Sequence, residues 1–264
     1  MDIAKQLVGI AIRNGASLAG IADMETIKNS PSHLIYTKLG RYEGKATVKS
    51  DHNLPDSQLF NWPDSAKSAL VIGLSHPESH PELDWWWQGG TPGNRLLIDI
   101  MNRSQQQIEN DLKINTVKIH YYVEQGGLFL KDAAVLSGLG CIGKNNMLVT
   151  PQYGPRVRLR ALLLKAELEP TGPVNFDPCS GCKEYCRKIC PEKAMAKKTP
   201  LFDCIDCSTD LPARDGKYNR ENCNERMDKD ILATTNSPST KQNPVKFCRK
   251  CELICPVAKN SRKQ

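Results

Sequence analysis

The sequence predicts an α+β fold in two parts. Over the first ~170 residues, helical and strand periodicities interleave without regular β–α alternation. After TGPVNFDP the texture changes to short polar stretches. Ten of the eleven cysteines then fall between Cys179 and Cys255.

Ile3, Leu7, Ile10 and Ala11 share one face of a helix over 3–14, with Gly15 as its stop. SLAGIAD (17–23) and SALVIGLSH (68–76) read as buried strands, separated by a polar loop over 40–64 punctuated by Gly and Pro. HPESHPELDWWWQGGTPG (76–93) is too rich in Pro and Gly to be regular. RLLIDIMNRSQQQIENDLK (95–113) is a long amphipathic helix with Leu96, Ile100, Ile108 and Leu112 on one side. VKIHYYV is a strand, LFLKDAAVLSGL a helix ending at Gly140, and VRLRALLLKAEL another strand. Beyond them lie short helical turns between cysteines and a polar segment, 208–247, with little core. The expected domains are 1–170 and 171–264.

Hydrophobic residues make up 39% of the chain and the mean hydropathy is −0.47. No apolar run approaches the roughly 20 residues of a membrane span. The N-terminus lacks the layout of a secretory signal, so a cytoplasmic address is expected. An odd cysteine count, clustered in one third of the chain, argues against a disulfide framework and for metal ligands. The net charge of +7 is uneven: residues 171–264 carry 18 Lys and Arg against 12 Asp and Glu, the remainder 18 against 17. That excess either offsets anionic groups held by the thiolates or forms a docking face for an acidic partner, a small electron carrier or RNA.

The first cysteine motif is CSGCKEYCRKICP, C-x2-C-x3-C-x3-C-P; the second is CRKCELICP, C-x2-C-x3-C-P. Short spacers let one loop wrap several thiolates around a compact cluster, and a last cysteine followed by Pro leaves that loop to ligate the other cluster, as in two-cluster ferredoxins. On that logic Cys179, Cys182, Cys186 and Cys255 hold one 4Fe–4S cluster. Cys190, Cys248, Cys251 and one lone cysteine hold the second. Cys223, apparently at a helix start, is the favoured eighth ligand, with Cys204 and Cys207 as alternatives. Structural zinc would instead pair Cys204-x2-Cys207 with Cys248-x2-Cys251.

AVLSGLGCIGKNNMLVTPQYGPRVRLRALLL (134–164) resembles the epoxyqueuosine reductase family, which carries a GLGWIGKN-like turn, an apolar strand, a P-x-[FY]-G turn and another strand. The matching residues are Gly138, Leu139, Gly140, Ile142, Gly143, Lys144, Asn145, Pro151, Tyr153 and Gly154; Cys141 stands where the family usually has Trp. SALVIGLSH and both cysteine motifs match as well. The resemblance implies a nitroreductase-like α+β domain that binds cobalamin, followed by a ferredoxin-like domain with two 4Fe–4S clusters. Reductive dehalogenases share that plan. It also implies an external donor of the ferredoxin or flavodoxin type, electrons passing through the clusters to cobalt, and a corrin-contacting turn formed by Gly140, Cys141, Ile142, Gly143, Lys144, Asn145, Tyr153 and Gly154.

The family's general acid is an Asp about 15 residues ahead of GLG; Glu124 lies within a residue of that position, and Asp132 is a weaker candidate. The family also has a tRNA-holding helical-repeat extension after the clusters, whereas this sequence stops nine residues past Cys255. The expected function is therefore a cobalamin-dependent iron–sulfur reductase of short form, acting on tRNA, a small molecule or a corrinoid protein. The alternatives are a corrinoid-reducing activator and a ferredoxin-like electron-transfer protein. Trp85, Trp86 and Trp87 read as a pocket cap, a core plug or an oligomer contact, and His76 and His80 as loop histidines.

Overall fold

The structure, a computed structural model, describes residues 2–36, 62–198, 214–235 and 243–259. Most of the expected 40–64 loop, together with Cys204 and Cys207, lies outside them.

A four-stranded antiparallel sheet organises the chain. Strand β1 (Leu18–Asp23) pairs with β2 (Ser68–Ser75), β2 with β6 (Val157–Leu164), and β6 with β3 (Thr116–Lys118), in the order β1-β2-β6-β3. The register places Leu70 opposite Ile21 and Leu162, and Ala69 opposite Ala22 and Leu163. Because successive side chains point to opposite faces, Ile21, Leu70, Ile72 and Leu162 pack under helices α1 (Ile3–Arg13) and α4 (Pro92–Gln107). Ala22, Ala69, Val71 and Leu163 pack against α2 (Met24–Lys28) and α5 (Leu130–Leu136). Covered on both faces, β2 needs an unbroken apolar run, which is why SALVIGLS is legible without alternation.

Asp2 caps α1, its Oδ1 accepting from the Ala4 amide at 3.0 Å. The helix buries Ala4, Leu7, Ile10 and Ala11, whereas Ile3 in its first turn is 46% exposed and adds nothing to the expected stripe. Helix α4 starts three residues earlier than the periodicity indicates, because Thr91 caps it and Pro92 fits its first turn. Its core face is Leu97, Ile100 and Met101, one residue out of phase with the expected Leu96, which is 48% exposed. The helix then runs into a π turn, Ile108–Leu112, that buries Ile108. The VKIHYYV strand ends at Lys118, where the chain leaves the sheet and Tyr121 stacks on the Arg160 guanidinium, 4.5 Å from the ring centroid. Helix α5 stops at Leu136, short of the expected Gly140. The polar segment holds a 16-residue helix, α7 (Arg220–Thr235), with Asp230 as its buried residue. A helix that is polar all round gives periodicity nothing to find. Among the described residues no helix is long and apolar enough to cross a membrane.

His33, in α3 (Pro31–Tyr36), is buried between Trp62 and Phe129. Its Nε2 accepts from the Phe129 amide at 3.2 Å, so Nδ1 carries the proton and donates to Ser30 Oγ at 2.7 Å. Burial pushes its pKa down from 6.5 to about 4. The unfolded chain therefore takes up a proton between these values that the folded chain refuses. Stability from this site is complete above pH 6.5 and falls by up to about 3 kcal/mol as the pH drops to about 4. Denaturation curves of the metal-free protein at pH 7 and 5 should show that loss, and His33→Gln should flatten it; parallel pH dependences would contradict the assignment.

Candidate iron–sulfur and cofactor site

Both cysteine motifs are gripped at one end of the sheet. His76, which follows β2, donates its amide to the Arg156 carbonyl just ahead of β6. From there Arg156 and Arg158 reach the second motif. A short hairpin, β4 (Cys141–Ile142) with β5 (Leu148–Val149), presents Lys144 to the first motif and Asn145 to the second. Lys144 Nζ lies 2.7 Å from Glu184 Oε1, and Arg187 Nε donates to the Lys144 carbonyl at 3.3 Å. Asn145 is buried and donates to the Cys251 carbonyl at 3.4 Å.

Cys179, Cys182, Cys186 and Cys255 line one pocket, together with Tyr185 and Pro256. An Asp177 turn opens this loop, its Oδ1 accepting from the amides of Cys179 and Ser180 at 3.0 and 3.1 Å. Helix α6 (Tyr185–Ile189) carries Cys186, and Arg187 beside it makes a two-pronged pair with Asp215, at 2.6 and 3.0 Å. The Cys186 thiol is pushed up to about 11, first by burial and then by Cys179 and Cys255. Arg156 is buried, and its hydrogen bonds go to the carbonyls of Cys255 (3.4 Å) and Val257 (2.6 Å). A guanidinium held by carbonyls keeps its positive charge in the interior, within electrostatic reach of the Cys255 thiol.

Cys190, Cys223, Cys248 and Cys251 form a second group. Burial is the largest cause that pushes Cys251 up to about 12, followed by the charges of Cys223, Cys248 and Cys190. Cys223, in the first turn of α7, feels Cys190 and Cys248 in the same way. Helix α7 fixes this group: Asp230 Oδ2 accepts from the Cys248 amide at 2.8 Å, and Asn219, just before the helix, donates its amide to the Ala194 carbonyl at 2.6 Å. Lys131 and Arg220 stand within electrostatic reach of Cys223, and Lys131 Nζ donates to the Asn146 carbonyl at 2.8 Å. Among the described residues no three His, Cys, Asp or Glu groups converge on a single-ion site. Cys179, Cys182, Cys186 and Cys255 stand around one pocket, whereas structural zinc draws its sulfurs to ~2.3 Å from one point. All nine described cysteines are free thiols. Metal binding deprotonates such thiols, which relieves the cost of burying them as anions.

A buried ionic network ties the second motif to the sheet. Arg158 Nη2 bridges Asp84 (2.8 Å) and Glu252 (3.0 Å), and Arg249 pairs with both carboxylates, 2.6 Å from Asp84. His76 Nδ1 lies 2.9 Å from Asp84 Oδ1. Burial works against the Asp84 charge, but the His76 bond and the two guanidiniums outweigh it and hold the carboxyl below its usual range. His76 is thus a buried histidine in the loop after β2, while His80 remains exposed beside Glu82. Trp86 exchanges both backbone hydrogen bonds with Val245, at 2.9 Å each, and Lys246 Nζ sits 4.4 Å from the Trp85 ring centroid. The tryptophans lie along the segment entering Cys248, with Trp86 and Trp87 still partly exposed, and they do not plug the core.

The GLGCIGKN turn is packed from behind. A Cβ on Gly140 would meet the Val149 carbonyl at 2.1 Å, and one on Gly154 the Val257 carbonyl at 2.5 Å. Gly140, Ile142, Gly143, Asn145 and Gly154 are buried; Cys141, Lys144 and Tyr153 keep part of their surface. Cys141 Sγ lies 3.8 Å from Arg214 Nη1. Glu124 sits in a 3-10 turn, Val123–Gln125, capped by Gly126 at φ +89°. Asp132 is buried in α5 and accepts from the Ser32 amide and hydroxyl at 2.9 and 2.8 Å. That makes it a tie between α5 and α3, out of contact with solvent. Tyr218, Arg156, Arg158 and Asp230 escaped sequence reasoning. The alternation R-x-R-x-R over 156–160, inside an apolar strand, was the available signal.

An antiparallel sheet layered with helices, holding two groups of cysteines at one end, defines the class: a protein of mixed helix and sheet with a cysteine-rich part. The chain is 24% identical over 205 residues to an epoxyqueuosine reductase of Lactococcus garvieae, covering 74% of this chain and 53% of that protein. The chain thus spans about half the length of that relative. No family model matches. Its fold is that of an epoxyqueuosine reductase from Bacillus subtilis, whose catalytic aspartate loop is swung out of the active site, at a TM-score of 0.64, 21% identity, and 98% of this chain against 66% of that one. An epoxyqueuosine reductase bound to a modified tRNA stem loop gives 0.62 at 20% identity, over the same shares of each chain. A reductive dehalogenase that performs B12-dependent dehalogenation gives 0.58 at 14% identity, over 96% of this chain and 31% of that one. The resemblance read from residues 134–164 and the cysteine motifs holds across the fold.

Proposed function

We propose that this chain is a cobalamin-dependent iron–sulfur reductase of the epoxyqueuosine reductase type, in which residues 1–170 form a nitroreductase-like domain and 171–264 a ferredoxin-like one. The observation that carries the reading is the sorting of eight thiols into two sets of four, each beside buried cations. Cys179, Cys182, Cys186 and Cys255 hold one 4Fe–4S cluster; Cys190, Cys223, Cys248 and Cys251 hold the other. Electrons enter from an external ferredoxin- or flavodoxin-type donor. Substrate is a modified tRNA, a small molecule or a corrinoid protein, tRNA being the one tied to a relative by name.

When bound, cobalamin supplies the reducing cobalt. The half-buried Cys141, Lys144 and Tyr153 fit a corrin contact, with Gly140, Ile142, Gly143, Asn145 and Gly154 as the wall behind them. Glu124 is the proton donor, a carboxylic acid of the kind that general acid catalysis employs. Glu124→Gln should therefore leave iron content and cobalamin affinity intact while slowing turnover at least about a hundredfold; unchanged turnover removes it from the mechanism. The reading as a whole is tested by titrating the anaerobically reconstituted protein with cob(II)alamin, followed by electron paramagnetic resonance. Tight one-to-one binding supports a reductase. Full iron content without cobalamin binding would leave an electron-transfer protein.

A further inference from the structure

The first thiol group lies beside an exposed face. Tyr185 and Pro256, which line its pocket with the four cysteines, both reach solvent. Helix α6, which carries Cys186, buries none of its residues. Tyr185 and Ile189 stand one turn apart on it, 41% and 39% exposed. Apolar groups exposed singly need no explanation. A pair set among cations at a pocket of thiols has the make-up of a protein contact, apolar at the centre and polar at the rim.

The charges around this pair are sorted by sign. Between residues 177 and 198 every carboxylate is held from within: Asp177 by Arg214 at 2.7 Å, Glu184 by Lys144 at 2.7 Å, and Glu192 by Lys229 at 3.0 Å. The nearby arginines are committed inward too, Arg187 to Asp215 and Arg249 to Asp84, each at 2.6 Å. The lysines are not. Lys183 and Lys188, on either side of Tyr185 in sequence, are exposed, as is Lys250 on α8 (Lys250–Leu253), which packs against α6. None of the three forms an ion pair among the described residues. Part of the basic excess of residues 171–264 therefore faces outward here, where it steers an acidic partner toward the thiols.

An RNA surface would turn arginines to phosphates and offer a row of flat rings to the bases. Here the arginines point inward, and the centre is an aliphatic side chain beside a single ring. Redox encounters sit at the small end of interface sizes, which suits a short helix and its flanks.

We infer that the exposed face of α6, with Tyr185 and Ile189 at its centre and Lys183, Lys188 and Lys250 around them, docks an acidic one-electron carrier protein of the ferredoxin or flavodoxin type. This rests on the cluster reading above and adds the place where the donor binds. The step it serves moves one electron from the reduced carrier to the oxidised 4Fe–4S cluster of Cys179, Cys182, Cys186 and Cys255. The carrier is oxidised by one electron, the cluster is reduced by one, and no bond forms or breaks.

The test is stopped-flow reduction of the reconstituted protein by reduced flavodoxin and by reduced ferredoxin, at low and high salt, with iron counted on each sample. Wild type should take electrons from at least one carrier, more slowly as salt rises. Lys183→Glu with Lys188→Glu should lower that second-order rate at least about tenfold at low salt. Lys5→Glu with Lys28→Glu, an equal charge change on α1 and α2, should keep it within about twofold of wild type. Should the reversal at 183 and 188 cost iron, Lys183→Gln with Lys188→Gln should give a smaller drop in the same direction, and an unchanged rate there is equally fatal. Equal drops in the two Glu pairs, no drop in either, or a wild type that neither carrier reduces would overturn the inference. So would unchanged carrier reduction with lost binding of a tRNA stem loop, which would make the face an RNA surface. Fewer than about eight iron in the wild type sinks the cluster reading itself, and the inference with it.

Discussion

Cys186→Ala and Cys255→Ala should each lower the iron content from about eight to about four per chain, and the double variant should also hold about four. The two cysteines are 69 residues apart in sequence, yet they line one cavity with Cys179 and Cys182. Losing either therefore costs the same cluster. Cys186→Ala combined with Cys251→Ala should instead empty both sites, because Cys251 keeps company with Cys190, Cys223 and Cys248. Iron and sulfide analysis of anaerobically prepared protein decides it. Full iron in either single variant, or an empty protein from Cys186→Ala with Cys255→Ala, would show the thiols sorted wrongly.

Arg158→Leu should destabilise the protein by about 3–5 kcal/mol, the cost of breaking a buried ion pair from one side. Its guanidinium bridges Asp84 and Glu252, and Glu252 is only 2% exposed. Burial opposes the Arg158 charge, but Glu252 and Asp84 outweigh it and drive the guanidinium pKa up. Removing it leaves Glu252, inside the segment that carries Cys248, Cys251 and Cys255, to Arg249, and leaves Asp84 to Arg249 and His76. Denaturant unfolding under anaerobic conditions measures the loss, and a change below about 1 kcal/mol would place the network in the class of inert surface pairs.

Much of this was legible in the sequence, for reasons that differ by element. SALVIGLS could be read because a strand buried on both faces must be apolar throughout. That Cys255 joins Cys179, Cys182 and Cys186 at one pocket follows from motif spacing, which is a local property, and from a C-P ending that carries the last cysteine to the other loop. Cys223 is different: its place beside Cys190, Cys248 and Cys251 depends on α7, and that helix has no apolar stripe to betray it. The phase of α4 was misjudged by one residue because the Thr91 cap, rather than the pattern of leucines, decides where the helix begins. The buried network was missed for a related reason. Asp84, Arg158, Arg249 and Glu252 look like ordinary surface charges until the fold removes water from them. Glycines of the GLGCIGKN turn announced a close approach but not its target, which includes the Val149 and Val257 carbonyls.

The presence of two clusters in one chain is open to direct measurement. Mössbauer spectroscopy of iron-57-reconstituted protein, with total iron and sulfide counted on the same sample, measures that. Two four-thiol groups predict about eight irons per chain, all sulfur-coordinated in 4Fe–4S signatures. About four irons, or zinc retained in place of iron after reconstitution, would contradict the assignment of the second group.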